Sequence, residues 1–123
     1  MDPQIIIVST NGGLRNKEYW TKLGKLSSNN PKLDIRFCVD GFEKTNHLYR
    51  VGVEWNKLLE NMTAYSNAGG NGHWIYNPFD HNINDIDQAK NLANDLGFNF
   101  SIRYSMKQED IHNVVNKKTK EII

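Results

Sequence analysis

Few side chains in this chain are suited to chemistry. There is one cysteine, Cys38, and there are four histidines, His47, His73, His81 and His112. A lone thiol excludes an internal disulfide framework and any zinc site built on several thiolates. The histidines are scattered, without the spacing of an H-E-x-x-H zinc helix, so no metal site is expected from them. Cys38 reads two ways: as a small buried core residue, which free cysteines commonly are, or as part of a cavity wall. It is not read as a nucleophile, because no base is identifiable beside it. Asp40 precedes Gly41 and is as readily a turn former as a ligand-binding carboxylate. Arg50 is either a solvated loop charge or an anion-binding guanidinium. The glycines at 12–13, 69–70 and 72 match neither G-x-G-x-x-G nor a Walker loop, so phosphate binding by that route is not supported.

Cys38 and Asp40 stand at the end of a regular alternation. Leu33, Ile35, Phe37 and Val39 are apolar, while Asp34, Arg36, Cys38 and Asp40 fall between them. A period of two marks a strand with one apolar and one polar face. In a barrel or an open α/β sheet the carboxyl ends of strands border the ligand site, which makes residues 38–41 the place to look.

The remaining elements follow from pattern. Ile5 to Val8 is a β-branched run ended by Ser9-Thr10-Asn11-Gly12-Gly13, and it reads as a strand buried on both faces. Leu14 to Leu26 has helical spacing through Tyr19, Trp20, Leu23 and Leu26. Phe42 to Gly52 is irregular and polar. A second helix is expected from about Val53 to Ala68, with Trp55, Leu58, Leu59, Met62 and Tyr65 along one stripe, ended by glycines. His73 to Phe79 reads as a strand that Pro78 interrupts near its end. A third helix is expected over Asp85 to Leu96, then a strand over Phe98 to Arg103, and an amphipathic helix somewhere in Lys107 to Ile123. Strand and helix thus alternate, which predicts an α/β fold: a parallel βαβαβαβ sheet with right-handed crossovers, shaped as a partial, half TIM-like (β/α) barrel. The expected division is a barrel segment at 1–104 and a helical tail at 105–123.

Composition narrows the function. With 15 Lys and Arg against 14 Asp and Glu, the chain lacks the basic footprint of a nucleic-acid binder. No apolar run is long enough to span a bilayer, and the Met1-Asp2-Pro3-Gln4 start lacks a signal peptide's basic region. A cytoplasmic location is expected, with no nucleic-acid or membrane partner.

Taken in order, Thr10-Asn11-Gly12, Cys38-Val39-Asp40-Gly41, His47 with Arg50-Val51-Gly52, and His81-Asn82 after a strand resemble the landmarks of radical S-adenosylmethionine (radical SAM) enzymes. The branch they resemble is the SPASM-type, peptide-modifying one, and the resemblance runs over roughly residues 5–102. In that family TNG closes the third barrel strand and a Ser-hydrophobic-Asp-Gly segment closes the fourth. An H-x-x-R-x-G segment follows, and the fifth strand ends near an Asn. The resemblance implies S-adenosylmethionine and a [4Fe-4S] cluster held at the carboxyl ends of the strands. It places Cys38 against the cofactor's ribose and pairs Arg50 with the methionyl carboxylate, a task suited to a guanidinium fork. It sets Asp40 at the cavity mouth, near cofactor or substrate, and lines the same mouth with Asn82, Thr10 and Asn11.

The departures are as specific as the matches. The family's C-x3-C-x2-C cluster motif and its glycine-rich cofactor motif are both absent, and one cysteine cannot ligate a cluster. Cys38 replaces the family's Ser with a weaker hydrogen-bonding group. The chain is therefore expected to be the carboxyl-terminal part of a radical SAM barrel, inactive alone. Any [4Fe-4S] cluster would depend on cysteines from an upstream half. Its expected partner is that half-barrel, or a second copy meeting it through the open face. A non-catalytic α/β protein-interaction module is the alternative.

Overall fold

The computed structural model describes residues 5–46 and 52–103. Along them run β1 (Ile6–Thr10), α1 (Lys17–Ser28), β2 (Leu33–Cys38), α2 (Trp55–Asn67), β3 (Gly72–Tyr76), a 3-10 turn (Ile83–Asp85), α3 (Ile86–Asp95) and β4 (Asn99–Ile102). The sheet order is β1-β2-β3-β4, with every neighbouring pair parallel. This order fixes the layering. Right-handed crossovers that step in one direction deliver each helix to the same face of the sheet. A doubly wound sheet would reverse direction partway and cover both faces. The chain does not reverse, so the fold is the half-barrel arrangement that the strand–helix alternation predicts.

The helix side carries the core. Phe37 of β2 lies 5.3 Å from the Trp20 ring of α1 and 5.4 Å from Tyr65 of α2, centroid to centroid. Ile35, Val39, Leu58, Met62, Trp74, Tyr76, Ala89 and Ala93 belong to the same buried cluster. The alternation of β2 is therefore read correctly: its odd-numbered residues are buried and Asp34, Arg36 and Cys38 point to the other side. The helices α1 and α2 meet closely at Gly24. A Cβ built there would stand 2.5 Å from the Tyr65 carbonyl oxygen and 2.9 Å from the Ala68 methyl.

Several boundaries shift for local reasons. The first helix starts at Lys17, not Leu14, because Arg15 takes a positive φ of 68° and Asn16 caps the helix, its Oδ1 accepting from Tyr19 N at 3.1 Å. The strand expected to reach Phe79 ends at Tyr76, before Asn77 and Pro78. The third helix begins at Ile86, after the 3-10 turn.

One expectation is overturned. The first strand is not buried on both faces: Ile5, Ile6, Ile7 and Val8 are 67, 54, 52 and 38 % exposed. β1 is the edge of the sheet, and the core gathers on the inner strands. Val8 stands in register with buried Ile35, on the helix side, while Ile7 is in register with Asp34 on the opposite side. Both faces of the strand are uncovered. The helical tail expected at 105–123 lies outside the described residues. No helix among the described residues is long and apolar enough to cross a membrane.

Candidate functional site

The carboxyl ends of β2 and β3 are joined by buried polar groups. Asp40 is fully buried, and its Oδ1 accepts from Asn77 N at 2.8 Å and from Asn77 Nδ2 at 3.2 Å. Its backbone N–H donates to Asn46 Oδ1 at 2.8 Å. Asn82, also fully buried, donates through Nδ2 to the carbonyls of Asp40 (2.8 Å) and Asn77 (2.9 Å) and accepts from Phe79 N at 2.7 Å. Tyr76 donates its hydroxyl to the Asn82 carbonyl at 2.5 Å. Gly41 allows the turn that brings Asn46 back. With φ of 155° its Cα faces Thr45 and the backbone of Asn46 so closely that a side chain has no room. Thr45 then donates to Asp85 Oδ2 at 2.6 Å, tying the loop to the turn before α3.

Electrostatics follow from this burial. The Tyr76 phenol is pushed well above the usual tyrosine range, mainly by desolvation and further by the Asp85 and Asp40 carboxylates. It stays protonated and acts as a fixed donor. Two amide atoms in the cluster, Asn46 Nδ2 and Asn77 Oδ1, are buried with no hydrogen-bond partner among the described residues. The strand ends thus hold one donor and one acceptor beyond what their own network uses.

The end of β1 is built separately. Thr10 Oγ1 accepts from Gly12 N and Asn11 Oδ1 from Gly13 N, each at 2.9 Å, so both side chains shape the turn. Thr10 is in register with Phe37, on the helix side. Asn61 of α2 secures this turn from outside, donating to the Gly12 carbonyl at 2.8 Å. Cys38 is half-buried, outside the helix-side core, and in register with Ile75 on the side away from the helices. It is not packed among the helices.

The structure thus brings Asp40 and Asn82 into one network, joined by the backbone, and places Cys38 just before it. Thr10 and Asn11 sit at the neighbouring strand end. Arg50 and His47 lie outside the described residues. Sequence reasoning did not single out Asn46, Asn61, Asn77 or Tyr76. The one signal was position, and it covers two of them: Tyr76 and Asn77 stand at and just beyond the end of β3, where a polar side chain can join neighbouring strand ends.

No family model and no curated protein sequence matches the chain. Among solved structures it is similar to two crystal structures of SuiB from Streptococcus suis, one of them bound to S-adenosylmethionine. Each superposes with a TM-score of 0.64 at 13 % identity, covering 94 % of this chain and 29 % of the SuiB chain. The chain therefore spans less than a third of that protein's length and shares its fold over that part.

Proposed function

We propose that this chain is one part of a radical SAM-type (β/α) barrel, the part whose strand ends contribute to holding S-adenosylmethionine. The observation that carries this reading is the uncovered strand β1. β1 is an edge strand with apolar side chains exposed on both faces, as an internal barrel strand would be without its preceding βα unit, and this supports the reading. The fold shared with a protein crystallised with S-adenosylmethionine supports the ligand class.

The donor set fits the cofactor and not the cluster. At the strand ends Cys38 is half-buried, and Asn46 Nδ2 and Asn77 Oδ1 are buried polar atoms with no hydrogen-bond partner among the described residues. Arg50 is assigned to the methionyl carboxylate, and Thr10, Asn11, Asp40 and Asn82 hold the rim in shape. S-adenosylmethionine, when bound, supplies a sulfonium centre beside these groups. A [4Fe-4S] cluster needs several thiolates, and this sequence has one cysteine. No group of three His, Cys, Asp or Glu among the described residues is placed to hold a metal. The cluster-bearing part, in this reading, belongs to the preceding half, and this part is not active by itself.

A second reading, a non-catalytic interaction module, is favoured by a different observation. The side chains of Asp40 and Asn82 are engaged in joining β2 to β3, work that a pure scaffold also needs. Calorimetric titration with S-adenosylmethionine separates the two. The cofactor reading expects saturable heat in the wild-type chain and a loss of affinity of about tenfold or more in Arg50→Ala. Absence of heat, or equal heats for the two proteins, removes the cofactor and leaves the module.

A further inference from the structure

The sheet face turned away from the helices carries a row that no part of the cofactor reading uses. Ser9 of β1 is in register with Arg36 of β2, Arg36 with His73 of β3, and His73 with Asn99 of β4. Four neighbouring strands thus present four polar residues in one line, with strands about 4.8 Å apart. In a filled (β/α) barrel such a layer is dominated by bulky branched apolar residues that pack the interior. Polar groups in that position cost free energy unless they meet water or a polar ligand.

The row is organised around Arg36. Its Nε donates to Asp34 Oδ2 at 2.9 Å, two residues back on the same strand and the same face. That contact fixes the guanidinium and leaves its two terminal amino groups without a partner among the described residues. Both side chains of the pair remain about a quarter exposed, at 26 and 29 %. On the neighbouring strand, His73 Nε2 shares a hydrogen bond of 2.7 Å with Ser101 Oγ of β4, which holds the ring in place. The guanidinium's terminal amino groups and, on the adjoining strands, the one donor that the His73–Ser101 pair has left over are the kind of groups that bind the oxygens of a planar or tetrahedral anion.

We propose that Arg36, His73 and Ser101 form an oxyanion-binding cradle on the helix-free face, for a ligand bearing a carboxylate or phosphate group. The cradle is separate from the strand-end site. Arg36 lies two residues before Cys38, roughly 7 Å deeper along β2. It stands whether or not S-adenosylmethionine binds. Asp34 has a double role in it: the carboxylate orients the guanidinium and, by its charge, weakens the attraction for an incoming anion.

The full chain, without cofactor, is titrated with inorganic phosphate and separately with glutarate at constant ionic strength, following the His73 imidazole signals by NMR. The expected result is a saturable shift with at least one of the two anions, and which anion saturates identifies the group recognised. Arg36→Gln weakens that binding by about tenfold, and Ser101→Ala weakens it by a smaller factor. Asp34→Asn acts in the opposite direction and tightens it, which keeps the test decisive if Arg36→Gln fails to fold. Shifts that rise without saturating for both anions overturn the proposal. So does a folded Arg36→Gln that binds as wild type, or an Asp34→Asn that does not tighten.

Discussion

Asn82 illustrates how much one amide can hold. It donates to two buried carbonyls on different strand ends and accepts a third, partly buried bond from the segment that follows β3. Truncation takes this partner away from the Asp40 and Asn77 carbonyls and from the Phe79 N–H, and each hydrogen bond lost from a buried group costs about 1–3 kcal/mol before water or relaxation recovers part of it. Asn82→Ala is expected to lower unfolding free energy by about 3 kcal/mol, seen as a lower urea midpoint with an unchanged slope. Tyr76 makes a second, pH-dependent prediction. Burial first, then Asp85 and Asp40, raise its folded-state value above the ordinary 10.0. Below pH 10 both folded and unfolded states keep the proton and the contribution to stability is complete. Above it the unfolded chain releases its proton while the folded one retains it, so stability falls as pH rises toward the folded-state value. Each such group adds a slope of at most about 1.4 kcal/mol per pH unit. Tyr65, raised chiefly by burial, titrates in the same sense. Thermal melts from pH 9 upward should therefore show a shallower alkaline decline in Tyr76→Phe than in wild type, with part of the decline left to Tyr65.

Elements were legible where a pattern excluded its rivals. The alternation through Leu33–Val39 admits one face as core, and the structure buries that face. The glycines at 69–70, after α2, and Gly97, after α3, marked where those helices stop. β1 was misjudged because four apolar β-branched residues look the same whether they are buried or waiting to be covered. Only the sheet order shows that this strand is an edge. The strand-end network was hidden for another reason. Asp40 meets Asn77 across 37 residues, and each of the two read alone is a turn former. The α1–α2 contact was equally silent, since Gly24 looks like a flaw in a helix. An alanine at an exposed helical glycine stabilises by about 1 kcal/mol. Here the added methyl would press on the Tyr65 carbonyl, a backbone atom that cannot swing aside. Gly24→Ala is expected to destabilise by about 1–3 kcal/mol, opposite to the helix-propensity effect, as chemical denaturation would register.

At the scale of the molecule, the layering decides how the chain behaves in solution. All described helices serve one face, and the edge strand β1 leaves apolar side chains open on both sides. Natural edge strands are usually blunted by a charge, a proline or a bulge. Residues 5–10 contain no charge and no proline, and their pairing with β2 runs without a bulge. Backbone direction adds to the liability. Ile6 N donates to the Lys32 carbonyl, so Ile6 is turned toward β2, and by the alternation of a parallel ladder Ile7 turns its N–H and C=O outward. Such an edge leaves backbone groups open to pairing with another strand. The chain alone is expected to self-associate with rising concentration in light scattering, and Ile7→Lys to suppress this by placing a charge on the open edge. A wild-type chain that stays monomeric across a wide concentration range would mean that β1 needs no cover. The half-barrel reading would then lose the observation on which it stands.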